Sequence, residues 1–267
     1  LRKVKVLMAA IMAGALLVGC GTTGTTGSSS SAGNNTSQQE VIKLGADVTF
    51  PPFEMMKDGK VTGFDIDLIK AIAAQENLKI ADPIQTMDFQ GLIPAIQTGT
   101  IDVAVAGITI TSAREQQVNF SKPYYHSGLS ILVKNDSTIN GLADLKGKTV
   151  AVKLGTTADI MLSKDQGINM KRFNNIDDAY NELQNGGAQA VVFDNPVNLN
   201  YINTGHNNVK VVGSLLTGED YGIAVTKQNS QLLQKINDGL DKLKANGQYE
   251  KLYRQYFKSD NNGLVNK

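Results

Sequence analysis

The chain carries one cysteine, at position 20, which excludes a disulfide framework and any cysteine-built zinc site. Two histidines, His126 and His206, leave little material for a metal centre of another kind, so no metal or cofactor is expected. Tryptophan is absent. Neither charge sign is in excess, with 26 Lys and Arg against 25 Asp and Glu, which argues against a nucleic-acid partner. No GxxxxGK[ST] run is present, so the chain does not hydrolyse ATP itself. No stretch reaches 18 consecutive apolar residues, the length a membrane-crossing helix needs.

What is present begins with an address. Arg2, Lys3 and Lys5 precede an apolar run from Val6 to Val18, too short to cross a bilayer and suited to a signal-peptide core. It leads through Leu17, Val18 and Gly19 into Cys20. This arrangement resembles a bacterial lipoprotein signal, which implies that residues 1–19 are removed and that Cys20 carries lipid. Loss of those three cations moves the net charge from +1 to about −2. Between Cys20 and residue 40, the segment 21–40 has no Val, Leu, Ile or aromatic residue. Such a composition cannot bury enough apolar area to offset its ordering entropy and is expected to act as a flexible tether. The expected location is extracytoplasmic, anchored to the cell membrane.

From Val41 onward, strand-like and helix-like patterns alternate. Strands are expected at Val41–Asp47, Ile101–Ala106, Thr149–Lys153, Ala188–Phe193, Val209–Val212 and Tyr221–Thr226. Phe64, Leu68, Ile69, Ile72 and Ala73 fall at helical spacing, with Asp65 or Asp67 as the cap. Leu92, Ile93 and Ile96 predict a short helix with Pro94 near its first turn, closed by Gly99. Further helices are expected at Ala158–Lys164 and Ile176–Asn185, and a long one follows a Ser230 cap and ends at Gly247. Alternation of this kind predicts an α/β fold with mostly parallel sheets, whose ligands sit at the carboxyl ends of the strands.

The chemistry-bearing residues lie at those ends: Asp47 and Phe50, Asp88 and Phe89, Ala106-Gly107 with Thr109 and Arg114, Lys153 with Thr157, and Asp194. Singly, each has a structural reading: a turn glycine at 107, a helix cap at Thr109 or Thr111, core rings at 50 and 89. Together they form a chemical set. Arginine grips a carboxylate with two parallel hydrogen bonds, and aspartate takes an ammonium group. Helix N-termini offer free N–H donors to an anion, and two phenyl rings can enclose an apolar stem. A free amino acid has the charges that such a set requires.

Four runs carry a family resemblance: Met87–Gln97 (MDFQGLIPAIQ), Ala106–Thr111 (AGITIT), Tyr124–Leu129 (YYHSGL) and Asn175–Tyr180 (NIDDAY). Through them, residues 41–257 resemble the periplasmic-type amino-acid-binding proteins of ABC importers, solute-binding family 3, most nearly its glutamine-binding members. The resemblance implies a type II periplasmic-binding-protein clamshell. One lobe would be residues 41–123 plus 222–267 and the other 129–216, with hinges at 124–128 and 217–221. It implies that Arg114 grips the α-carboxylate, helped by Thr109 and by N–H groups near Gly107 and Thr157. Asp194 would take the α-ammonium with the Gly107 carbonyl. Phe50 and Phe89 would sandwich the side-chain methylenes, while Asp47, Lys153 and the Ala106 backbone reach the side-chain end. Two positions depart from the glutamine pattern: Phe193 stands in place of a histidine, and Thr157 in place of a glycine.

Charge sorts the ligands. Asp47 as acceptor and Lys153 as donor suit a carboxamide. A cationic side chain about 4 Å from Lys153 meets a repulsion of about 4 kcal/mol at an effective dielectric near 20. Glutamine is favoured, with basic or other polar amino acids as the alternative. The expected partners are that amino acid and the ABC permease subunits, with the protein itself a monomer and not an enzyme. The competing enzymatic reading is a dehydratase on the same scaffold, for which Asp47 beside Phe50 is the one candidate acid.

Overall fold

The computed structural model describes residues 39–257. The signal segment, Cys20 and the tether up to residue 38 lie outside the described residues, as does the chain after Phe257.

Two five-stranded sheets are built to one plan. In the first, Leu44–Ala46 lies parallel between Gln85–Thr86 and Val103–Val105, and Ala224–Val225 then joins antiparallel, with Asn119–Phe120 at the edge. In the second, Thr149–Lys153 lies parallel between Asn169–Phe173 and Ala190–Asp194. There, Leu129–Lys134 joins antiparallel, with Val209–Val212 at the edge. In both sheets the antiparallel member is the strand where the chain arrives from the other sheet. The result is the two-lobed α/β fold of type II periplasmic binding proteins. The two passages between sheets pair with each other as a short antiparallel ribbon, Tyr125–Ser127 against Glu219–Tyr221.

Each first strand sits centrally with crossovers to either side, the topology that opens a crevice at strand carboxyl ends. Asp47, Ala106 and Lys153 stand at or just beyond such ends, and Asp194 closes its own strand. Their apolar neighbours explain the rigidity: Val103, Ala104 and Val105 are fully buried, as are Val150 to Val152 and Val191 to Phe193.

Several local expectations are corrected by tertiary partners. The stretch Val41–Asp47 is two strands, because Glu40–Ile42 pairs with Leu78–Ile80 while Leu44–Ala46 enters the main sheet. The break falls at Lys43, whose N–H donates to the Asp102 carboxylate at 2.8 Å. The stretch Tyr221–Thr226 also divides: Tyr221 belongs to the ribbon and Ala224–Val225 to the first sheet. Between them, Gly222 packs so closely that a Cβ would meet Ile110 and Phe120 at 2.9–3.0 Å.

The helix Phe64–Gln75 opens after Gly63 with no side-chain cap, because Asp65 turns inward and is buried. The helix with Pro94 runs Phe89–Gln97 and so places the proline in its interior rather than its first turn. The helix Ser230–Ala245 is capped by Asn229, not Ser230, through Asn229 Oδ1 accepting the Leu232 N–H at 2.9 Å. Gly247, left-handed at φ 76°, ends it and opens a further helix, Gln248–Tyr256. Among the described residues, no helix is long and apolar enough to cross a membrane.

Candidate functional site

A narrow cleft with about 10 Å³ of free space lies between the carboxyl ends of the two sheets. Phe50, Phe89, Ala106, Gly107, Thr109 and Arg114 line it from the first lobe; Lys153, Thr157 and Asp194 line it from the second. Thr156 and Phe193 complete the wall. Of the ten ligand positions expected from sequence, only Asp47 is absent from the lining, and it touches the cavity through Lys153.

Arg114 sits on the one-turn helix Ser112–Glu115, which Thr111 caps by accepting the Arg114 N–H at 3.3 Å. The local sequence thus turns this side chain inward, where it is 7% exposed. Its guanidinium donates to the Thr109 carbonyl at 2.8 Å and, across the cleft, to the Gly155 carbonyl at 3.2 Å. Beneath it lies the Phe89 ring, 5.1 Å from centroid to guanidinium carbon. Burial lowers its pKa, and the carboxylates of Asp194 and Glu219 counter that shift. At Gly155 the lobes approach so closely that a Cβ would come within 3.2 Å of Gln90 Cβ.

Asp194 faces this cation from the second lobe. It is fully enclosed and accepts a short hydrogen bond from the Tyr221 hydroxyl, which itself meets Ser127 at 2.9 Å. Burial and then the neighbouring Glu219 carboxylate push its pKa up to about 7, against the opposing effects of Tyr221 and Arg114. Arg114 and Asp194 thus line one cleft from opposite lobes, with a second carboxylate, Glu219, acting on both. Glu219 was not legible as a site residue from sequence. It comes from the ribbon, and its Oε2 accepts from the Thr109 hydroxyl at 2.8 Å. That bond commits the Thr109 hydroxyl proton to Glu219, so this side chain serves the site chiefly by tying ribbon to pocket wall.

Lys153 and Asp47 form an ion pair at 2.5 Å with side chains only 2% and 4% exposed. Thr49 knits the pair together. Its N–H and hydroxyl donate to Asp47 Oδ1 at 3.0 and 2.7 Å, and its hydroxyl oxygen accepts from Lys153 Nζ at 2.8 Å. The Thr49 carbonyl accepts a longer bond from Lys153 at 3.3 Å. The Asp47 carboxylate is thus committed to a cation, so the acid that the dehydratase reading named is already paired.

The apolar walls also meet across the cleft. Phe193 stands edge-on to Phe50, with centroids 5.6 Å apart and planes at 84°. In place of a polar contact, the second lobe therefore contributes a ring to the wall. Gly107 adopts φ 51°, and a Cβ there would fall 2.2 Å from the Phe50 ring, so only glycine allows this contact. Thr157 is the first residue of the helix Thr157–Leu162, capped by Thr156, and its N–H has no partner within that helix. Among the described residues, no cluster of three His, Cys, Asp or Glu could hold a metal ion.

The chain is similar to proteins of known function and structure. The probable histidine-binding protein of Neisseria gonorrhoeae is 36% identical over 82% of this chain and 83% of its own. A solved structure described as an ancestral arginine-binding protein bound to glutamine is 47% identical, with a TM-score of 0.77. The alignment covers 81% of this chain and 97% of that one. Another, described as an ancestral arginine-binding protein bound to arginine, is 46% identical over 81% of this chain and 98% of that one, also with a TM-score of 0.77. These relatives are solute-binding proteins rather than enzymes. The model of the bacterial extracellular solute-binding proteins, family 3, matches residues 42–259, and the chain belongs to that family.

Proposed function

We propose that this protein captures a free polar L-amino acid, glutamine before others, outside the cytoplasm. It acts as a monomer tethered by lipid on Cys20 and delivers its ligand to the permease of an ABC importer. Arg114 takes the α-carboxylate, with the Thr157 N–H. Asp194 takes the α-ammonium, with the Gly107 carbonyl. Phe50, Phe89 and Phe193 enclose the methylenes.

The choice of glutamine rests on one observation, the buried Lys153 ammonium held beside Asp47. A cationic ligand side chain entering there meets a fixed positive charge that cannot retreat to water. A carboxamide instead offers its oxygen to Lys153, displacing the long Thr49 contact, and its NH₂ to the acceptors around it. The relatives bound to arginine make the basic reading its rival. In a thermal-shift screen of the twenty amino acids, glutamine is expected to give the largest rise in Tm. The rise follows RT ln(1 + [L]/Kd). A larger rise with arginine or lysine would remove the glutamine assignment.

Capture is a population shift. A zwitterion completes its contacts to Arg114 on one lobe and Asp194 on the other only when the lobes meet, so it favours the closed form by its differential affinity. The pivots are residues 124–128 and 217–221.

The raised pKa of Asp194 makes affinity depend on pH. A ligand ammonium needs the carboxylate, so affinity is expected to fall as pH drops through about 7. The stability of the ligand-free protein is expected to follow the opposite trend. A group whose folded pKa is raised stabilises the fold below its unfolded value, and that contribution is lost as pH rises through about 7. Calorimetric titrations between pH 5 and 8 check both signs, and Asp194→Asn is expected to flatten both.

A further inference from the structure

Behind the cavity wall lie two carboxyl groups that the ligand contacts do not use. Glu54 is on the strand Glu54–Lys57 and is 0% exposed; Asp65, in the first turn of Phe64–Gln75, is 1% exposed. Each is close enough to the other to shift its protonation. Both oxygens of Glu54 and Oδ1 of Asp65 are buried with no hydrogen-bond partner. Two neighbouring carboxyl groups sealed from water do not both ionise readily, so the pair holds one proton. Burial raises both pKa values, Glu54 the further, while Glu54, Tyr124 and the Gly107 N–H favour Asp65 as the anion. A proton on Glu54 supplies the donor that Asp65 Oδ1 otherwise lacks.

The remaining oxygen of Asp65 is fully engaged. Its Oδ2 accepts the Gly107 N–H at 3.0 Å and a short bond from the Tyr124 hydroxyl. The Ala106–Gly107 peptide is trans, so the Ala106 carbonyl points away from the N–H that Asp65 holds. Ala106 and Gly107 both line the cavity. The opposite orientation of this peptide would turn the carbonyl onto the Asp65 carboxylate and present an N–H to the ligand. Gly107, free of the usual limits on φ, offers little resistance to that flip, so the restraint has to come from Asp65.

We infer that the buried Glu54–Asp65 pair is a positioning device that holds the Ala106 carbonyl toward the ligand, and so selects amino acids whose side chain ends in a hydrogen-bond donor. The inference rests on the amino-acid-binding reading of the cavity. The charged and titratable groups facing the pair are Asp47 and Lys153 beside it and Tyr124 and Tyr249 from the chain behind it.

The test compares the full chain with Asp65→Asn, Asp65→Leu and Glu54→Gln. Asparagine keeps an acceptor for Gly107 and a donor for Glu54, whereas leucine keeps only the shape. In Asp65→Leu the ratio of glutamine to glutamate affinity is expected to fall about ten-fold, the equivalent of one net hydrogen bond, with Asp65→Asn near wild type. A purely structural role would lower Tm and leave that ratio intact, which overturns the inference. Should the leucine variant not fold, the Gly107 amide resonance of ligand-free protein decides. In wild type it is expected to move as the shared proton leaves at alkaline pH, and in Glu54→Gln to stay fixed. A step that survives in Glu54→Gln belongs to Tyr124 and rejects the pair, as does a resonance that never moves. Because this readout needs no ligand, it stands even if the screen selects an amino acid other than glutamine.

Discussion

Arg114→Ala is expected to abolish the amino-acid-induced rise in Tm for every ligand, with calorimetry showing a loss of about thirty-fold to a few thousand-fold in affinity. The range is the about 2–5 kcal/mol lost when one partner of a buried, hydrogen-bonded charge pair is truncated, at about 1.4 kcal/mol per decade. Two features put this variant at the top of the scale. The guanidinium is buried at 7% exposure, so a ligand carboxylate meets it without competing water. It also donates across the cleft to Gly155, so the side chain proposed to take the carboxylate also fastens one lobe to the other. Arg114→Lys separates the two contributions. Lysine keeps the charge but lacks the planar fork, and is expected to bind with intermediate affinity. Equal, undiminished shifts in Arg114→Ala would place the carboxylate elsewhere.

The variant also alters the ligand-free protein in a way that pH reveals. Arg114 is the cation that offsets the mutual repulsion of Asp194 and Glu219. Without it, Asp194 keeps its proton to still higher pH, so the stability deficit of Arg114→Ala is expected to be larger at pH 8 than at pH 5. Melting curves at the two values measure it.

Which of these groups could be read from sequence follows from how locally each is determined. Asp47, Ala106, Lys153 and Asp194 close or follow short apolar strands, and in an α/β sheet that position alone sends them to the crevice. Arg114 was legible through arginine's fit to a carboxylate and through the AGITIT run before it, while the Thr111 cap on its helix is seen only in the structure. Glu219 and Tyr221 were not, because they reach the site through a ribbon whose partner strand is remote in sequence. Asp65 shows the same limit from the other side. An aspartate in a helix's first turn has two destinations, the solvent-side cap or the interior, and local pattern favours the cap. Here the inward choice is decided by Glu54, Tyr124 and Gly107, none of which is near it on the helix. Thr49 belongs to the same class, since its role appears only once Asp47 and Lys153 are opposed.

Removing Lys153 tests the specificity argument most severely, because it acts on stability and selectivity together. The pair with Asp47 is almost wholly enclosed, at 2% and 4% side-chain exposure. Lys153→Met, similar in length and without charge, leaves Asp47 with only the two Thr49 donors. Breaking one partner of a buried pair costs about 3–5 kcal/mol, and the ligand-free variant is expected to melt correspondingly lower. An unpaired buried carboxylate, however, is a site for a cation. Arginine or lysine as ligand could supply the charge that position 153 has lost, so the order of the thermal shifts is expected to invert, with a basic amino acid above glutamine. The double variant Lys153→Met with Asp47→Asn restores neutrality and is expected to lose the preference for basic ligands while recovering part of the stability. If Lys153→Met keeps glutamine first by an undiminished margin, the ammonium does not face the ligand side chain, and selectivity must come from the carbonyl of Ala106 and the aromatic walls instead.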